Sequence, residues 1–384
     1  MLATVAGVFF VALRTLVAAH GHIGGLVVAG SNYVSPGRYT EGVPIRAGAG
    51  YDGQFYYRLA LDPLDWSRRA FGIRFDTFGR LDRVAYPAIV WLVSAGQYSA
   101  AHIMMPLVNI AALAFLAGSA AALAREAGRH AMWGLLLAGF WGFLWVLSRD
   151  LTELTEATSL VAALLAIRKA RPIVAGILLA VAVLAREPAL LVVGTVLLAR
   201  AGAMTPWVPR AAARTQAPAL AQPRPGMADA VWVIPVLAFA GWQLALRARI
   251  GVFGVLTSGQ NNLGVPLAGF AGGFVHYLER LPSIASLLWV GELAVLALVG
   301  TMAAISLSKS TAALHERLAW AGSVVLAVLL VKGIWLGDVG FRSLDDFFVL
   351  SGVLLLFSRL RLDLAGLAVA GAWVVVALEL VLFI

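Results

Sequence analysis

Residues 100–124 read AAHIMMPLVNIAALAFLAGSAAALA, twenty-five positions without an acid, a lysine or an arginine. A helix needs roughly 20 apolar residues to cross the hydrocarbon core of a bilayer, so this stretch decides the fold class. Comparable runs occupy 2–19, 131–147, 151–167, 172–185, 188–201, 230–248, 284–306, 318–336, 343–358 and 363–383. The chain of 384 residues is 61% apolar and 13% charged, with a mean hydropathy of +0.88. That balance is foreign to a soluble domain. The expected fold is all-α, a polytopic membrane protein of about eleven transmembrane helices in one domain spanning 1–384.

Residues 1–19 lack a basic n-region and are expected to stay as the first helix instead of leaving as a signal peptide. The runs 172–185 and 188–201 are short and read either as two spans or as a re-entrant pair. Residues 31–99 form a long first outer loop with short interfacial helices. One of these is expected over 82–97, because Arg80, Asp82, Arg83 and Trp91 suit the membrane boundary. Residues 202–229 read as a cytoplasmic linker, and no soluble C-terminal domain is expected.

The net charge of +9 sits on arginines scattered at helix ends, with no basic face interleaved with aromatics, so nucleic acid is not an expected partner. The chain has no cysteine, which removes disulfide and thiolate chemistry. Its six histidines show no metal-site spacing, and no Walker or Rossmann glycine pattern appears.

The short loops at 125–130, 167–171, 200–228, 308–317 and 358–363 are basic and alternate with loops that carry acids. The positive-inside rule places the basic set in the cytoplasm. Fourteen of the twenty acids then fall on the outer side. The segment 31–85 also holds several arginines, but it is near the upper length for which the rule is counted.

Four stretches concentrate the chemistry. In GYDGQFYY (50–57), Asp52-Gly53 is a turn signal ringed by aromatics. Partial burial would raise the Asp52 pKa and suit it to general-base work. Tyr51, Gln54 and Tyr57 are expected to bind substrate beside it. In SRDLTELTEA (148–157), Asp150, Glu153 and Glu156 share a helix face and repel unless a cation, a metal or a proton compensates, Arg149 being one candidate. A solvated helix N-terminus explains Glu156 equally well. In LAREPALL (184–191), Arg186 and Glu187 sit between two apolar runs, with Arg186 suited to a phosphate. In KGIWLGDVGFRSLDD (332–346), Lys332 and Arg342 flank Asp338 and would neutralise an anionic leaving group. Snorkelling explains Lys332 as well.

These stretches resemble the GT-C superfamily of membrane glycosyltransferases. The likeness rests on GYDGQFYYRLALDP (50–63), RLDRVAYPAIVWLVSAG (80–96), SRDLTEL (148–154) and AREPALL (185–191). WQLALRARIG (242–251) followed by NNLGVPLAGF (261–270) is similar to uncharacterised bacterial members. The resemblance implies a polyprenyl-phosphate-linked sugar donor, inverting transfer to the hydroxyl of an envelope glycan, lipid or protein, and a site facing outward from the bacterial inner membrane. It implies that Asp52 is the general base, that Asp150 and Glu153 form the second acidic site, and that Arg186, Lys332 and Arg342 hold the donor phosphate. It also implies that Trp66, Phe71, Tyr86 and Trp91 hold the lipid tail. No cofactor is required, although a divalent metal such as Mg or Mn fits some members of the superfamily. A transporter or flippase of lipid-linked sugars, a non-catalytic membrane scaffold, and an intramembrane acyl- or phosphotransferase remain the alternative readings.

Overall fold

The computed structural model describes residues 1–204, 217, 219–220, 227–258, 262–337 and 339–382. Asp338 and most of the expected linker over 202–229 lie outside the described residues. The protein is mostly helical, and a helix lies over each of the apolar runs. Four helices are long and apolar enough to cross a membrane: Tyr98–Glu126, Asp229–Ile250, Ile284–Ser306 and Asp363–Leu382. A fifth span is reached if Ala131–Ala138 and Gly142–Arg149, bent by 64° at their junction, count as one. The other runs form shorter helices, such as Leu2–Val17 with 16 residues and Pro172–Ala185 with 14. At 1.5 Å per residue, fourteen residues cover about 21 Å of a core about 30 Å thick.

Local chemistry explains the breaks. Pro172 opens one helix, where its missing N–H costs nothing. Pro188 lies in the turn Glu187–Ala189, which separates that helix from Leu190–Met204. Gly251 ends the helix Ile234–Ile250 in the left-handed conformation (φ 80°) that glycine adopts without strain. At the core, Phe140 stacks on Phe348 at 4.7 Å, and Trp141 packs edge-on against the same ring.

Contacts between loops sort the charges into two ends. Arg129 donates to the carbonyls of Leu356, Ser358 and Leu360, satisfying the C-terminal end of the helix Asp345–Leu356. Arg168 pairs with Glu316 (Nε–Oε1 2.7 Å), Lys169 pairs with Glu126, and the Thr311 N–H donates to Phe357 O at 2.8 Å. The basic loops near 125–130, 167–171, 308–317 and 358–363 therefore meet at one end of the bundle.

The first long loop is built from small pieces: helices Gly53–Leu61 and Ala85–Val93, a parallel pairing of Ala29–Gly30 with Ile45–Arg46, and an antiparallel hairpin pairing Arg69–Ala70 with Ile73–Arg74. The interfacial helix expected over 82–97 is thus shorter. Asp82 is no boundary anchor, because it is buried and accepts from Gln243 Nε2 at 2.6 Å. Glu292 and Arg14, whose partners the sequence leaves open, take an indole N–H from Trp141 at 2.9 Å and donate to the Leu380 carbonyl, respectively.

Asp52-Gly53 forms the turn that leads into a helix, closed by the Gln54 N–H donating to Tyr51 O at 3.3 Å. Gly53 starts the helix Gly53–Leu61, and the glycine is there because backbone presses against it. A Cβ at Gly53 would lie 2.2 Å from Arg149 O and 2.9 Å from Val27 O. The left-handed glycine is Gly50 (φ +66°), three residues earlier. Gly53→Ala should therefore destabilise the protein by about 1–3 kcal/mol through overpacking against rigid backbone. A lower thermal unfolding midpoint in detergent would show this, and an unchanged midpoint would refute the close-approach argument.

Candidate functional site

Three helix N-termini converge at the end of the bundle opposite the basic loops. They carry Asp52 (helix Gly53–Leu61), Glu153 and Glu156 (helix Glu153–Arg168), and Asp345 and Asp346 (helix Asp345–Leu356). Acids in first turns are favoured by the partial positive charge of unpaired backbone N–H groups. Here they also meet four arginines from other segments.

The pairing crosses the whole chain. Asp52 Oδ1 lies 2.9 Å from Arg80 Nη2, and its Oδ2 lies 3.3 Å from Arg342 Nη2. Arg342 Nη1 continues to Glu153 Oε1 at 3.0 Å. Arg80 holds Asp76 through one guanidinium edge, Nε donating to Oδ1 at 3.1 Å and Nη2 to Oδ2 at 2.8 Å. Arg83 reaches Glu187 at 3.4 Å and donates to the Tyr56 hydroxyl at 3.2 Å. Arg186 Nη1 joins Glu156 at 2.9 Å to both oxygens of Asp345 at 2.7 Å.

A cavity of about 600 Å³ opens beside this network. One wall is charged, with Asp52, Arg80, Arg83, Glu153, Arg186, Glu187, Arg342 and Asp346. The other is apolar, with Leu263, Leu326, Ala327, Leu330, Ile334 and Phe347. A larger cavity of about 710 Å³, lined by Trp133, Trp373 and other apolar groups, lies away from these charges.

Burial pushes the Asp52 carboxyl up, but Arg80, Arg342 and Arg83 together outweigh it and hold the group below the usual carboxylate range. This corrects the expected upward shift; the difference is the number of guanidinium groups that the tertiary fold places around it. For Arg80, burial favours the neutral form, yet Asp52 and Asp76 raise its pKa. Arg83 behaves likewise through Glu187.

Five of the residues expected to form the site line the cavity: Asp52, Glu153, Arg186, Glu187 and Arg342. Three more stand behind them. The ring of Tyr51 lies between the guanidinium groups of Arg149 (5.1 Å) and Arg342 (5.2 Å). Arg149 itself covers Trp145 and donates to Ser148 Oγ. Glu156 is buried against Arg186.

The remaining four are elsewhere. Gln54 accepts from Gly30 N and donates to Ala49 O, and the Tyr57 hydroxyl donates to Tyr39 O at 2.6 Å, so both clamp the loop around the helix Gly53–Leu61. Lys332 is exposed and lies along Gly272, while its neighbours Leu330 and Ile334 face the cavity. Asp150 ends the helix Gly142–Arg149 in the left-handed region (φ 51°) and is fully buried. Burial raises its pKa well above the carboxylate range, offset only in part by Asn109, whose amide donates to the Tyr86 hydroxyl. Away from the cavity, Asp150 is not placed to take a proton from a molecule bound there.

Nor do the aromatics expected around a lipid tail line this cavity. Trp66 is packed edge-on against Trp242, and Tyr86 is buried, its hydroxyl donating to Met105 O. Conversely, Arg80 and Arg83, read from sequence as boundary anchors, are central. Their spacing in RLDR (80–83) puts both on one side of a helical turn, a signal that needed Asp52 and Glu187 beside it to be read.

The carboxylates of Glu156, Asp345 and Asp346 offer oxygens within 4.8 Å of one another, a grouping that can hold a cation. Arg186 already bridges two of them, so a guanidinium meets the charge that would draw a metal. No protein-family model, curated protein or solved structure matches this chain.

The depressed Asp52 pKa implies a pH signature. Its contribution to stability is complete above the unfolded carboxylate pKa of about 3.9 and is lost as pH falls through the lower folded value. Asp52→Asn should lower stability at neutral pH by about 1–3 kcal/mol by leaving buried guanidinium groups short of a partner. The gap to wild type should narrow on acidification below about pH 4. Unfolding midpoints measured against pH test this, and a gap independent of pH would refute it.

Proposed function

We propose that this protein is an inverting membrane glycosyltransferase that takes sugar from a polyprenyl-phosphate donor. The supporting observation is the two-walled cavity, in which a cationic rim around a carboxylate adjoins an apolar slot. An amphiphile with an anionic head and a hydrocarbon tail is the ligand class that satisfies both walls. Under this reading all eleven apolar runs are embedded in a bacterial inner membrane and the basic loops face the cytoplasm. The site then opens outward, and the acceptor is the hydroxyl of an envelope glycan, lipid or protein.

The donor phosphate sits among Arg80, Arg83 and Arg342, with the prenyl chain along Leu326, Leu330, Ile334 and Phe347. The acceptor oxygen bonds to the anomeric carbon as the bond from that carbon to the phosphate oxygen breaks. The acceptor proton passes to Asp52, and the polyprenyl phosphate leaves under guanidinium stabilisation. At rest Asp52 is a weak base, because three arginines hold its pKa down. An arriving phosphate competes for Arg80 and Arg342 and thereby returns basicity to Asp52 when the donor is in place. Glu153, on the other edge of Arg342, keeps that guanidinium in position and orients the acceptor. The reading requires no metal.

A transporter of lipid-linked sugars is the second reading, favoured by Glu292, buried against Trp141 inside a helix long enough to cross a membrane. One experiment separates them. In purified protein, Asp52→Asn should abolish transfer from a polyprenyl-phosphate sugar while donor binding persists, and Arg342→Gln should weaken donor binding about tenfold or more. Near-normal transfer by Asp52→Asn would remove it as the base. Movement of donor between leaflets by Asp52→Asn, with no transfer by wild type, would establish the transporter.

A further inference from the structure

The first outer loop has arginines that the site does not use. Arg58, Arg80 and Arg83 are committed to interior contacts: Arg58 to Ser67 O and Asp65, the other two to the cavity network. Arg68, Arg69 and Arg74 are exposed on one hairpin, RRAFGIR (68–74). Among the described residues, none of the three has a carboxylate within ion-pair distance.

Two local rules are broken here. Arg69 is directly opposite Arg74 in the ladder, so two like charges share one face of the hairpin, an arrangement that destabilises a strand pair. The turn between them needs two residues at positive φ and is made by Phe71 (φ 53°) and Gly72 (φ 77°). Asparagine or glycine is the usual choice at the first position, and a bulky residue there is strained. Phe71 is retained by an edge-on contact with Tyr39 at 5.1 Å. Local costs of this kind mark places where something other than folding sets the residue.

The hairpin also connects to the cavity. The Arg74 guanidinium stacks on Tyr33 (5.6 Å), Tyr33 packs on Phe55 (5.4 Å), and Phe55 carries Arg80 (5.0 Å). Arg68 stacks on Phe78, next to the cavity residues Gly79 and Arg80. A continuous path of guanidinium groups and rings thus runs from the exposed surface to the charged wall.

We propose that the hairpin 68–74 is the docking surface for a polyanionic glycan acceptor, a chain whose repeating units carry phosphate or carboxylate. The identity of this partner as an acceptor rests on the transfer reading above. A polymer fits better than anionic lipid headgroups. Membrane-surface elements pair basic residues with exposed large apolar ones. Ile73 is buried, and no large apolar side chain is exposed between Leu64 and Trp91.

The test uses full-length protein in nanodiscs of phosphatidylcholine alone, with end-labelled linear inorganic polyphosphate as probe and fluorescence anisotropy as readout. Wild type should bind saturably, and added salt should weaken binding. R68Q/R69Q/R74Q should lose about tenfold or more in affinity. Its unfolding midpoint should stay close to that of wild type, because removing the repelling pair offsets the loss of the Arg69–Ser35 and Arg74–Asn32 hydrogen bonds and of the stacking on Tyr33 and Phe78. R68K/R69K/R74K should keep most of the affinity. Undiminished binding by the glutamine variant would overturn the proposal. So would binding by wild type that disappears when phosphatidylglycerol is included in the discs, since the arginines would then be engaging headgroups. No lipid-linked donor is present, so failure here leaves the donor cavity standing, and failure of donor binding leaves this result standing.

Discussion

The site depends on the cost of placing charge where water is scarce. Asp345, Glu156 and Arg186 are all nearly or fully buried, and a lone ion in such a place is costly enough to prevent folding. Each is tolerated because the others are present at 2.7–2.9 Å. Arg342, held between Asp52 and Glu153, ties the first outer segment, the helix Glu153–Arg168 and the turn before Asp345 into one unit. Chain segments nearly 300 residues apart (Asp52 and Arg342, 290 positions) are held by electrostatic necessity as much as by apolar packing.

That necessity also shapes the cavity. Acids at three helix N-termini gather arginines, and the arginines, once gathered, form a rim able to receive an anion. The rim is partnered at rest, so an incoming phosphate exchanges one set of ion pairs for another instead of meeting bare charge. Asp52 stands at the pivot of that exchange. Its acidity is set by how many guanidinium groups face it, and an anionic ligand changes that number.

Much of this was legible in the residues. The apolar runs located the helices, because hydrophobic length is a local property, and the alternation of basic and acidic loops anticipated a bundle with two unlike ends. Asp52, Glu153, Arg186, Glu187 and Arg342 were visible as charges at the edges of apolar runs, where a bland surface role explains them least. Lys332 and Asp150 looked equivalent by the same criterion. They differ only in the direction their side chains take, which for Asp150 is decided by one left-handed backbone turn. Gly53 carried the signature of the turn it helps to make, and it is also a point of close backbone contact with Arg149, which composition does not encode.

The sequence by itself determined a helical membrane-type chain with charge sorted by loop, since burial preference and helix length are summed over neighbours along the chain. Only the tertiary structure decided which acid meets which arginine, that Asp52 is held acidic by three cations, and that the cavity has one apolar wall. The physical reason is distance. Coulombic and desolvation effects depend on separations of a few ångströms between groups that the chain order leaves far apart.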